Sequence, residues 1–210
     1  MFVETLATPT RKLLERLGRR RWMTAFYLAG GSGAALHLGH RKSDDLDFFS
    51  AKVLDTRLLT QQAKRNGTFT IHNEAWGTLV GELNGVRTSF IHYGYPLLEP
   101  TSPLARVRIA GLRDIAVMKL VAIAQRGSRR DFVDLYFICR RVSPLAELLK
   151  LCAQKFPDLN HNGPHFLRSL VYFADAEVEP MPQMLVPVRW SQVKRFFEQQ
   201  VTSLAQERLR

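Results

Sequence analysis

Cysteine is scarce: Cys139 and Cys152 are the only two in 210 residues. They form no Cys-x-x-Cys pair, which argues against a thiolate zinc module, and their low number excludes a disulfide framework. Cys139 lies in the apolar run Phe137-Ile138-Cys139, a setting for a buried, inert thiol, and a reducing cytoplasm fits this usage. Long hydrophobic runs are missing too. No stretch approaches the ~20 apolar residues of a membrane-spanning helix, so no membrane partner is expected. The stretch up to Trp22 interleaves basic residues throughout and lacks the apolar centre of a secretory leader. Repeats and low-complexity tracts are absent. Acid is in short supply: 19 Asp and Glu face 30 Lys and Arg, for a net charge of +11. A surplus of that size attracts polyanions, so nucleic acid, nucleoside triphosphate, anionic lipid or an acidic protein could be the counterpart.

The chain is 46% hydrophobic and 10% aromatic, ordinary for a folded protein, and long enough for one large domain or two small ones. Residues 10–17 carry leucines at helical spacing. Phe26-Tyr27-Leu28-Ala29 reads as a buried strand, broken by Gly30-Gly31-Ser32-Gly33, and residues 34–38 read as a helix stopped by Gly39. Residues 45–49 begin by alternating acid with apolar side chains, as a strand does, and residues 54–64 have helical composition. Residues 68–72 read as a strand. Residues 78–83 and 86–91, joined by Asn84-Gly85, spell a hairpin with a type I′ turn. Beyond the segment 96–103 the pattern turns helical, with helices expected over 111–125, 129–141, 144–154, 166–173 and 191–206. The expected architecture is α/β, with a small mixed sheet and flanking helices in residues 1–105. A helical domain in residues 106–210 is expected to close over the site and complete it.

Two features carry chemistry. Gly30 and Gly31, between a strand and a helix, let backbone amides point at an anion, and Ser32 adds a hydroxyl. Asp45 and Asp47, two apart on a strand, share one face. Two carboxylates beside the apolar Leu46, Phe48 and Phe49 repel each other and need a cation between them, and oxygen ligands shared with phosphate suit magnesium. Further on, Lys119 falls inside the helical stripe of Leu112, Ile115, Ala116 and Ile123, so it either snorkels outward or reaches a buried anion. Asp131 and Asp134 share a face with Ile138 on the next helix; an ion pair with Lys119, Arg129 or Arg130 is the structural reading.

The sequence from Phe26 to Ala34 with Gly30-Gly31-Ser32, then Leu38-Gly39-His40-Arg41-Lys42-Ser43-Asp44-Asp45-Leu46-Asp47-Phe48-Phe49, resembles the AbiEii toxin family of nucleotidyltransferases, within the polymerase-beta-like superfamily. The resemblance resumes at Lys119 and at Arg129-Arg130-Asp131-Phe132-Val133-Asp134-Leu135-Tyr136, spanning roughly residues 20–140. It implies a polymerase-beta-like core and four motif positions: Ser32, an acid of the Asp45/Asp47 pair, Lys119, and Asp131 or Asp134. It implies that Gly30, Gly31, Ser32, Lys119, Arg41 and Lys42 hold the nucleotide, and that Asp45 and Asp47 hold Mg2+. It further implies transfer of a nucleoside monophosphate from a nucleoside triphosphate to an acceptor hydroxyl with release of pyrophosphate. RNA, the tRNA 3′ end in particular, is the implied acceptor, and an antitoxin protein the implied partner. The rival readings are transfer to a small molecule or a protein, or a degenerate protein that only binds nucleotide or RNA. Strand 86–91 offers Arg87, Thr88 and Ser89 where the superfamily places a third carboxylate, although members of the resembling family lack that acid too. Arg126, Arg129, Arg130, Arg140 and Arg141 are candidates for an RNA platform. His37 and His40 are expected at the surface or near phosphate, and Gly163-Pro164 between His161 and His165 is expected to spoil a helix.

Overall fold

Asn84 and Gly85 both take positive φ, 53° and 78°, and turn β4 (Thr78–Leu83) straight back into β5 (Val86–His92). This is the expected type I′ hairpin, and the rest of the sheet grows around it. The computed structural model describes residues 1–157 and 163–208. They fall into two compact units, Met1–Gly111 and Leu112–Arg210.

In the first unit, β3 (Phe69–Ala75), β1 (Tyr27–Leu28) and β2 (Leu46–Ser50) join the hairpin, with β6 (Ser102–Leu104) and β7 (Val107–Ile109) completing a seven-stranded sheet of order β3-β4-β5-β2-β1-β7-β6. It is mixed. β2 runs parallel to β5 and β1 parallel to β7, while the other neighbours are antiparallel. One face packs its apolar side chains, Leu28, Leu46, Phe48 and Phe90 among them, into a core shared with Leu13, Leu14 and Leu17 of α1 (Thr8–Gly18) and with Leu59 and Ala63 of α3 (Thr56–Lys64). Phe48 and Phe90 stack there with ring centres 5.5 Å apart. Asp55 caps α3, its carboxylate accepting from the Leu58 amide at 2.9 Å.

Two local expectations are corrected. The helix after the glycines, α2, spans Gly30–Leu38 and so starts inside the glycine run; Gly39 ends it at φ +64°. Residues 102–109, for which no strand was expected, form the β6–β7 hairpin, whose turn residues Ala105 and Arg106 adopt φ of 48° and 65°. Neither residue type favours that region, so the turn carried no sequence signal. This hairpin extends the sheet unit to Gly111.

The second unit is helical: α4 (Leu112–Arg126), α5 (Arg129–Arg141), α6 (Leu145–Lys155), α7 (Gly163–Ser169), α8 (Ala174–Glu177) and α9 (Trp190–Arg208). Phe132 of α5 is fully buried and gathers Phe173, Trp190 and Phe197 at centroid distances of 5.2, 5.9 and 5.5 Å. Pro164 stands in the first turn of α7, where its missing amide costs nothing, so Gly163-Pro164 opens this helix. That helix stops at Ser169, short of the expected 173. Among the described residues no helix is long and apolar enough to cross a membrane.

Candidate active site

Strand β2 joins the ladder at Leu46, so Asp45 stands just ahead of it and Asp47 within it. Both are half-buried, and their spacing keeps them on the face opposite Leu46 and Phe48. The Asp47 carbonyl accepts from the Ala29 amide at 3.0 Å, which draws the end of β1 and the start of α2 against this carboxylate. At Gly30, φ is +61° and a Cβ would stand 2.6 Å from Asp47 Oδ2. At Gly31 a Cβ would stand 2.6 Å from a guanidinium nitrogen of Arg41. The two glycines therefore serve close approach: one makes room for the carboxylate, the other for a buried arginine. The first bond inside α2 runs from Gly33 N to Ala29 O at 3.0 Å, which leaves the amides of Gly30, Gly31 and Ser32 as the unsatisfied donors of a helix N-terminus.

Ser32 is 1% exposed, and its hydroxyl donates to the Asp45 carbonyl and lies 3.0 Å from Ser43 Oγ. In this structure it ties the turn to the acid-bearing segment, where the sequence suggested a donor facing the ligand. Neighbouring contacts pin the same segment: Ser43 N donates to Thr5 O at 3.0 Å, and Thr10 Oγ1 to Asp44 O at 2.9 Å. Ser43, Asp44 and Thr10 went unnoticed in the sequence because they act through backbone contacts with residues far away in the chain. Arg41 is 3% exposed and donates to the Lys42 carbonyl at 2.8 Å. The Lys42 ammonium donates to the Glu4 carbonyl, so its charge is tied to the N-terminal segment. Where a third carboxylate was sought, Ser89 of β5 is in register with Asp47.

A second charged cluster lies in the helical unit. Lys119, 6% exposed, reaches a buried anion and does not snorkel: Nζ is 2.6 Å from Asp131 Oδ1 and 2.8 Å from Asp134 Oδ2. Arg126 adds a contact to Asp131 Oδ2 at 3.1 Å. Burial alone would raise the Asp131 pKa, but the charges of Lys119 and Arg126 outweigh it and hold the carboxyl below its usual range. Arg129 takes no part. Its Nε donates to Ala176 O at 2.7 Å, and its guanidinium lies 4.9 Å from the centre of the Trp190 ring. A further buried pair, Lys155 donating to Asp114, was missed in the sequence, where Asp114 looked like one more polar residue near the start of a helix.

The histidines leave the site. His40 is completely buried, which rules out the surface alternative of the expectation. His37 Nε2 lies 2.9 Å from Ala110 O, and burial lowers its pKa. His165 is exposed, with Nε2 3.2 Å from Ala124 O, and His161 lies outside the described residues. Burial pushes both cysteine thiols up to about 12, which makes them poor nucleophiles. Among the described residues no three His, Cys, Asp or Glu side chains form a metal-binding group.

Solved structures place the architecture. MenT4, a nucleotidyltransferase toxin from Mycobacterium tuberculosis, matches with a TM-score of 0.58 at 16% identity, over 93% of this chain and 86% of that one. JHP933 from Helicobacter pylori matches with a TM-score of 0.53 at 16% identity, over 96% of this chain and 94% of the other. The fold is that of nucleotidyltransferases, and the protein is an enzyme of that class. An uncharacterised protein of Aquifex aeolicus, aq_aa25, is 38% identical over 197 residues, covering 91% of this chain and 93% of its own. The family described as nucleotidyl transferase AbiEii toxin, type IV toxin–antitoxin system, matches residues 80–208, and the chain belongs to it. The resemblance read from motifs ends near residue 140, whereas the match continues through α9. The sequence of that last third offers no chemical motif, and its aromatic residues Trp190 and Phe197 pack on Phe132.

Proposed function

We propose that this protein transfers a nucleoside monophosphate from a nucleoside triphosphate to a hydroxyl of RNA, foremost a tRNA 3′ end, and that it does so as the toxin of a toxin–antitoxin pair. The observation that carries the reading is the Asp47 carboxylate packed against Gly30 at the N-terminus of α2, with Asp45 two residues before it on the same face. A triphosphate needs donors for its oxygens and a counter-charge, and this corner of the sheet supplies orphan amides beside two carboxylates. Asp45 and Asp47 suit magnesium, which binds through one or two carboxylates plus substrate phosphates and would supply the positive charge that the leaving pyrophosphate requires. Ser32 is assigned a positioning role, fixing the backbone that carries Asp45. Arg41, buried against Gly31, stiffens the turn, and Lys42 is left a lesser part because its ammonium is engaged with Glu4.

Within the helical unit, Lys119, with Asp131 as the acid that also receives Arg126, is proposed as a charged group for binding phosphate, while Asp134 locks α4 to α5. In the transfer itself the acceptor oxygen bonds to the α-phosphorus, the bond to the β-phosphate oxygen breaks, and pyrophosphate leaves. Catalysis of this kind rests on positioning and electrostatics, so few side chains are needed. The net charge of +11 agrees with an RNA acceptor. The decisive experiment incubates the protein with magnesium, total RNA and each nucleoside triphosphate labelled at the α-phosphate. Label in the tRNA band, lost on Asp47→Asn, is the expected result. Label confined to protein or to small molecules would overturn the acceptor assignment.

A further inference from the structure

Beyond Asp45 and Asp47, the same face of the first unit's sheet carries a line of aromatic rings. Phe49, two residues on from Asp47, stacks on Tyr27 with centroids 6.0 Å apart. Tyr93 meets Phe49 edge-on at 5.6 Å, and Tyr95 meets Tyr93 at 5.2 Å. The register explains the alignment: Asp47 pairs with Ser89 and Phe49 with Ile91, and the alternation carries on to Tyr93 just past β5. The line ends at a cavity of about 450 Å³ lined by Tyr27, Tyr95, Lys52 and Arg108. A groove of about 640 Å³, with Arg21 and Trp22 in its wall, shares Thr24, Ala25 and Lys52 with that cavity. Arg21, Lys52 and Arg108 are exposed, and Tyr95 is 37% exposed. Of the residues lining the two cavities only Asp55 is acidic, and its carboxylate is occupied in capping α3.

We propose that this cavity is a binding subsite for the unpaired nucleotides just upstream of the 3′ terminus of an RNA acceptor. The proposal rests on the RNA-acceptor reading above and adds where the acceptor lies and which residues hold it. Aromatic rings offer stacking surfaces to bases of any identity, and lysine and arginine offer charge to the phosphates between them, the combination that single-stranded nucleic acid requires. Arg108 donates to Thr24 O at 3.0 Å and so shapes the wall, while Lys52 is an exposed cation common to both cavities. Strand β2 carries the chain from Asp47 to Ser50, roughly 10 Å at the usual rise per residue, and Lys52 follows two residues on, past a bend. A terminal hydroxyl at the carboxylates would then place preceding nucleotides over Phe49, Tyr93 and Tyr95. An acidic peptide would satisfy the cations but would gain nothing from rings aligned with the metal-site acids.

The test uses an RNA hairpin with a short unpaired 3′ tail and the same hairpin with a blunt end. Wild type should label the tailed hairpin preferentially. Tyr95→Ala and Lys52→Ala should each raise the KM for it by roughly tenfold or more, while shifting the KM for nucleoside triphosphate far less. Tyr95→Phe, which keeps the ring, should restore the wild-type KM, and 4-thiouridine in the tail should cross-link to the peptide containing Tyr93 and Tyr95. If wild type labels the tailed hairpin and both variants retain its KM, the subsite is overturned while the RNA acceptor stands. If wild type labels neither hairpin, nor any RNA, both fall together, and competition by an acidic peptide would then identify what the groove takes instead.

Discussion

Gly30 and Lys119 are positions where one residue meets two requirements at once. Gly30 must take a left-handed φ and must leave room for Asp47, so Gly30→Ala should cost about 1–2 kcal/mol from backbone alone and also displace the carboxylate. The expected outcome is a modest fall in the urea midpoint together with a loss of nucleotide transfer much larger than that fall explains. Full activity in this variant would mean that Asp47 need not sit where it does. Lys119 is held by two buried carboxylates, so Lys119→Ala strands them together, and breaking a buried pair costs about 3–5 kcal/mol. Chemical denaturation should show that loss before any assay of nucleotide binding can be interpreted. The same cluster sets a pH dependence. Asp131 has a lowered folded-state pKa, so its contribution is present above the unfolded value near ~3.9 and disappears as pH falls through the folded value. Asp131→Asn should therefore flatten the acid limb of the stability curve and leave its shape above neutrality unchanged.

At the scale of elements, the β6–β7 turn offers a test with the opposite sign. Ala105 holds φ at 48°, a conformation that costs a residue with a Cβ about 1 kcal/mol and glycine almost nothing. Ala105→Gly should raise the melting temperature by a few degrees, as scanning calorimetry would show. The turn also marks the limit of what the residues disclose. Asn84-Gly85 announced its hairpin because both residue types favour positive φ, whereas Ala105-Arg106 takes the same conformation under the constraint of the surrounding sheet and leaves no trace. Helices α4 and α5 were legible from their apolar spacing, and so was the probability that Lys119 meets an acid, since one lysine and two aspartates fell on inward faces. The direction of Ser32 was not legible: a hydroxyl after two glycines looks like a ligand donor until Asp45 and Ser43 are seen beside it. Nor was the aromatic cavity, whose residues come from several segments that meet only when β1 lies between β2 and β7.

For the whole molecule, the surplus of basic side chains gives the proposed RNA acceptor its most direct test. With 30 basic and 19 acidic side chains, the proposed binding to tRNA should weaken steeply with salt, because each phosphate neutralised releases condensed counterions. Filter binding between low and physiological ionic strength should give a steep negative slope. A flat response would remove RNA from the list of acceptors.

The order of strands has a consequence for how such a protein comes into being. β1, two residues long, lies between β2 and β7, and the latter is made from residues Val107–Ile109. A ribosome adding about 5–20 residues per second needs several seconds to travel from Asp47 to that strand. Throughout that time one edge of β1 has no partner strand, so the sheet beside the glycine turn is completed only after residues Val107–Ile109 have been added.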